Sequence, residues 1–108
     1  MAYKFNPLTG KLERSWFAGA SRVVASENIA LSLTSETYQF VDPNGENRTV
    51  TLPALSAADA GRAFSVKNTG TSGFFLKVQS SEGVQIGPFV GDGFSLAVVW
   101  TGTVWEAL

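Results

Sequence analysis

From about residue 29 onward, apolar residues fall in short alternating runs separated by turn formers; before that point no period persists. Val50 and Leu52 alternate with Thr49 and Thr51, Phe64 and Val66 with Ser65 and Lys67, and Phe94, Leu96 and Val98 with Ser95 and Ala97. A period of two puts the first-named residues on one buried face of a strand and their neighbours on the other. The runs Ile29–Leu33, Thr37–Val41, Arg48–Leu52, Ala63–Asn68, Phe74–Gln79, Gly83–Ile86, Phe94–Trp100 and Thr103–Ala107 are candidate strands. Asp42-Pro43-Asn44-Gly45, Asn68-Thr69-Gly70, Gly91-Asp92-Gly93 and Thr101-Gly102 punctuate them with tight-turn chemistry, the last closing a hairpin. Short strands with regular turns predict an all-β fold, an antiparallel β-sandwich or barrel-like domain over residues 29–108. Ser56-Ala57-Ala58-Asp59-Ala60-Gly61 interrupts the pattern, either as one helical turn with a capping-box outline or as a loop.

Residues 1–28 read as an extended N-terminal arm. Tyr3, Phe5, Leu8, Leu12, Trp16 and Phe17 are spread among the turn formers Asn6-Pro7 and Gly10. Burying a large aromatic is worth roughly 2–3 kcal/mol, so such an arm is expected to dock on its own domain, a neighbouring subunit or another protein.

Composition narrows the function classes. With 44% hydrophobic and 16% charged residues, the chain of 108 has the apolar surface a folded domain needs. The net charge of −1 offers no basic field for phosphate, so neither nucleic acid nor membrane is an expected partner. Charge is uneven, however: residues 1–28 carry four basic and two acidic groups (net +2), and the remainder four basic and seven acidic (net −3). Cys and His are both absent, which removes thiol nucleophiles, the imidazole base, disulfides and the usual zinc ligands. No apolar run has the length of a signal peptide or membrane span, and the expected site of synthesis is the cytoplasm.

Candidate chemistry is sparse. Asp42, Asn44 and Glu46 repeat oxygen ligands at a spacing of two, like the start of a calcium loop, but Pro43 interrupts them and no later bidentate Glu follows; the turn reading is preferred to a metal site. Asp42, Glu46, Asp59, Glu82 and Asp92 sit in predicted turns, where solvated acids are the common case, and nothing marks a glycosidase pair. Ser and Lys residues suggest no specific nucleophile dyad, and Gly83, Gly87, Gly91 and Gly93 precede no helix that would make a phosphate cradle. No catalytic residue, cofactor or metal is expected. Trp100 and Trp105 flank the turn at Gly102 and, in one of the registers open to it, form a cross-strand pair; an exposed pair would stack on sugars, a buried one is core, and core is favoured for at least one.

The stretch Val41-Asp42-Pro43-Asn44-Gly45-Glu46-Asn47-Arg48-Thr49-Val50-Thr51-Leu52-Pro53, followed by Ala60-Gly61-Arg62-Ala63-Phe64-Ser65-Val66-Lys67-Asn68-Thr69-Gly70 and by Trp100-Thr101-Gly102-Thr103-Val104-Trp105-Glu106-Ala107-Leu108, resembles a module of tailed-bacteriophage fibre, spike and head-decoration proteins. The opening Tyr3-Lys4-Phe5-Asn6-Pro7-Leu8-Thr9-Gly10-Lys11-Leu12 is similar to the N-terminal segments of small phage virion proteins. The resemblance implies a homotrimeric virion protein, made in the bacterial host cytoplasm. Its arm would attach to the particle on a major capsid or tail protein. Lacking shaft repeats or a coiled coil, the chain suits a short head fibre or decoration protein better than a complete tail fibre. The alternative is the binding module of a tail fibre or spike, with Phe89, Phe94 or Trp105 contacting a host surface glycan.

Overall fold

The computed structural model describes residues 19–108 and, ahead of them, two short strands, β1 (Phe5–Asn6) and β2 (Lys11–Leu12), paired antiparallel with Phe5 opposite Leu12. Tyr3, Leu8, Trp16 and Phe17 lie outside the described residues.

Eight further strands follow: β3 (Ala20–Val24), β4 (Ile29–Ala30), β5 (Tyr38–Asp42), β6 (Arg48–Thr51), β7 (Ala63–Asn68), β8 (Leu76–Gln79), β9 (Ser95–Trp100) and β10 (Trp105–Ala107). The fold is all-β, with a single 3-10 turn among the described residues, at Ala57–Asp59 where the capping-box outline stands. Ser56 closes that box by donating its backbone N–H and its hydroxyl to Asp59 Oδ2, at 3.0 and 3.1 Å.

The strand sense differs from the antiparallel arrangement expected. Successive strands alternate between a five-stranded sheet in the order β10-β9-β7-β5-β3 and a three-stranded sheet in the order β4-β6-β8. Within them β3, β5 and β7 run parallel, as do β4, β6 and β8; β9 is antiparallel to both its neighbours, β7 and β10. The chain thus winds between two facing sheets in three coils and ends in a hairpin. Alternation of apolar residues reports which face is buried and is silent on pairing sense. The sense is set by the connections: the turns after β3, β5 and β7 send the chain to the opposite sheet instead of back beside itself, and only a return to the same sheet makes a hairpin.

Side-chain bonds stitch the coils. Asn28, just before β4, accepts the Thr49 N–H of the next coil at 2.9 Å, and Asn47, just before β6, accepts that of Phe75 at 2.9 Å. Both sheets feed one core, with Val41, Val50, Leu52, Phe64, Val66, Leu76, Val78 and Val98 buried, as the alternation in β6, β7 and the middle of β9 predicts. The outer rows of the smaller sheet are polar, with Thr49 opposite Lys77 and Thr51 opposite Gln79.

Two expected elements differ. Gly83–Ile86 forms no strand; Gln85 makes a lone antiparallel bridge to Gln79, and Val90 another to Leu76, so this returning stretch covers the free edge of β8. β3, conversely, lies inside the stretch read as an arm, where Val23 and Val24 gave too short an alternation to stand out. At the turn after β5, Asn44 and Gly45 both take positive φ, 60° and 82°, as the Pro-Asn-Gly sequence requires.

Arg62, at the start of β7, ties the coils together from outside. Its guanidinium donates to the carbonyls of Leu33, Ser35 and Ala63 and to Thr37 Oγ1, and lies 4.1 Å from the Phe64 ring centroid.

Candidate functional site

Beside the last coil lies a groove of about 420 Å³, between the β9–β10 hairpin, the segment after β6 and the turn after β8. Its floor is the tryptophan pair. Trp100 and Trp105 face each other across the hairpin, with ring centroids 5.6 Å apart at 56°. The segment Pro53–Ser56 sets their orientation: Pro53 ends β6 because it has no N–H for the ladder, and its carbonyl accepts the Trp105 indole N–H at 3.1 Å. The Ser56 carbonyl accepts that of Trp100 at 2.8 Å. Trp105 also packs on Phe64, centroids 5.8 Å apart, and is only 6% exposed. The expected core role therefore holds for Trp105.

The walls are aliphatic: Leu55 and Ile86, packed against the core, and Val84 and Val104, which remain 58% and 51% exposed. Val84 and Val104 are held outward by tight turns. Ser80 Oγ accepts the N–H groups of Glu82 and Val84, and Thr101 Oγ1 accepts those of Thr103 and Val104. Among the described residues Glu82 is the one ionisable group lining the groove. With both indole donors already used, the groove offers an occupant apolar contact, the hydroxyl side chains of Ser80, Ser81 and Thr103, and a single negative charge. The sequence reading missed these walls. Val84 and Val104 fall in the runs Gly83–Ile86 and Thr103–Ala107, which read as strands, so nothing in the sequence marked them as exposed walls.

The remaining candidates are dispersed. Phe89 is 51% exposed and lies against Phe75, centroids 4.3 Å apart; Phe94 is 71% exposed at the start of β9, outside the buried face that the alternation assigned it. Neither lines the groove, so the three suggested receptor contacts do not form one site. In the Asp42–Glu46 turn the oxygens serve the turn itself: Asp42 Oδ1 accepts the Asn44 N–H at 2.9 Å, and Glu46 pairs with Arg48 at 3.5 Å. Among the described residues no three acidic, His or Cys groups gather to hold a metal.

The chain matches no protein family, and no curated protein matches it. It is similar to part of a solved structure described as a chaperone-substrate complex, with a TM-score of 0.53 and 13% identity over 82% of this chain. The chain spans 17% of that chain's length. At that identity the likeness concerns the fold alone.

Proposed function

We propose that this chain is a phage virion structural protein, a short homotrimeric fibre or capsid-decoration (cement) protein held on the particle by its N-terminal arm. The observation that carries this reading is the edge strand β3. Among the described residues it has a neighbour on one side alone, β5, and it follows directly on the aromatic arm segment. Val24 is 62% exposed, Val23 37% and the adjacent Tyr38 45%. An open, apolar strand edge templates further pairing unless something covers it, and closed rotational symmetry covers every such edge at once. The residues that resemble phage modules support the architecture more than the role. Val50, Leu52, Phe64, Val66 and Trp105 are core, and Asn68 is a buried junction.

The test is deletion of residues 1–18, which leaves β3 whole. The expected result is a folded body that no longer joins the particle; incorporation at full occupancy would remove the arm from the attachment.

A second reading, a host-glycan module, draws on the exposed Phe89 and Phe94 beside the Gly87–Gly93 loop. Glycan-array binding that disappears in Phe89→Ala would favour it, and silence across a broad array would count against it.

A further inference from the structure

We infer that the tryptophan groove receives Trp16 or Phe17 from the arm of a second copy of this chain. The inference rests on the self-assembling reading above and gives part of the arm a partner inside the oligomer. Tyr3, Phe5, Leu8 and Leu12 remain free to attach to the particle.

Three observations converge. The first is chemical fit: among the described residues the groove has the aliphatic side chains of Leu55, Val84, Ile86 and Val104 beside three hydroxyls, no unused indole donor and one carboxylate, that of Glu82. That combination suits an aromatic side chain with a cation nearby, and Trp16-Phe17 follows Arg14 by two residues. The second is charge. Residues 1–18 hold Lys4, Lys11 and Arg14 against Glu13, 3 − 1 = +2; residues 19–108 hold five basic and eight acidic groups, 5 − 8 = −3.

The third is reach. Phe17 and Trp16 stand two and three residues ahead of Gly19, which spans at most roughly 7–10 Å of extended chain. The sheet order β10-β9-β7-β5-β3 places the groove at the opposite end from β3. Three strand spacings separate β3 from β9, roughly 15 Å, and the groove lies beyond, between the two layers. A chain therefore cannot readily fill its own groove. Joining the β3 end of one copy to the hairpin end of the next brings donor and acceptor together. That contact is heterologous, so it closes into a ring when the rotation allows, as a trimer requires.

The absence of cysteine makes a clean test possible. Two full-length proteins, Phe17→Cys and Val104→Cys, are mixed and oxidised; a second pair uses Val84→Cys in place of Val104→Cys, and a control pair uses Glu27→Cys. All three acceptor positions are exposed, so each variant is expected to fold. Docking raises the local thiol concentration to the order of millimolar against micromolar protein, so the 17–104 and 17–84 disulfides should form up to about a thousandfold faster than 17–27. Equal rates for all three would overturn the inference, as would a chain carrying both Phe17→Cys and Val104→Cys that closes its disulfide internally at high dilution. Light scattering on the unmodified protein separates the two levels of failure. A trimer without selective cross-linking removes the groove assignment alone, and a monomer removes the assembly reading beneath it.

Discussion

Asn68 offers the sharpest test of how the coils are joined. It ends β7 with its side chain fully buried. Its amide donates to the carbonyls of Phe74 and Val90, each at 2.9 Å, and its Oδ1 accepts the Gly70 N–H at 2.8 Å. One side chain thus ties the turn after β7, the approach to β8 and the stretch that covers β8. Replacing it by Asn68→Asp keeps size and shape but turns the donor into an oxygen facing two carbonyls. Each buried acceptor left without a donor costs about 1–3 kcal/mol, and an unpaired carboxylate adds its own desolvation cost. A loss of about 3–5 kcal/mol at neutral pH follows, a large share of a total near 5–15 kcal/mol. The assay is urea unfolding followed by tryptophan fluorescence at fixed protein concentration. With a slope of about 1–3 kcal/mol/M, the midpoint should fall by roughly 1–5 M with the slope unchanged. Burial without a cation disfavours the charged form in the folded state and raises the folded pKa above the unfolded one. The deficit is therefore smallest in acid and grows as pH rises from the unfolded pKa toward the folded one. A change below about 1 kcal/mol, or a deficit indifferent to pH, would refute this account of the junction.

Arg62→Lys keeps the charge but forfeits the forked contacts to Ser35, Thr37 and Leu33 and the stacking over Phe64; thermal unfolding should register a loss of about 2–3 kcal/mol. A loss under about 0.5 kcal/mol would mean the guanidinium is not a clamp. Gly87→Ala and Gly45→Ala separate contact from backbone strain. Both positions have positive φ, but a Cβ on Gly87 would meet Leu96 at 2.9 Å and one on Gly45 meets nothing within 4 Å. Calorimetry should find Gly45→Ala down by about 1 kcal/mol and Gly87→Ala by a further 1–2 kcal/mol.

The sequence made the core faces legible because burial enforces a period of two. Phe64 and Val66 read correctly for that reason, as did the Asn44-Gly45 turn, whose positive φ few residue types accept. Pairing sense was not legible, since Ile29–Ala30 and Arg48–Thr51 look alike whether their partner runs up or down. β3 escaped notice because Ser21 and Arg22 stand beside Val23 and Val24 on an edge strand with little buried surface. The groove escaped because it is assembled from turns about 50 residues apart: Trp105 reaches back to Pro53, and no local pattern announces such a contact. Phe94 misled in the other direction, continuing the alternation of β9 one step beyond the buried face. The Trp100–Trp105 pair was legible only as one of the registers open to a hairpin at Gly102; the structure sets Trp105 opposite Trp100.

The central claim is that the chain acts as an assembled structural unit, and the most direct test is the molar mass of the full-length protein by size-exclusion chromatography with light scattering across a dilution series. The account predicts three times the 11.5 kDa chain mass, unchanged on dilution. A protein of single-chain mass at every concentration would contradict it.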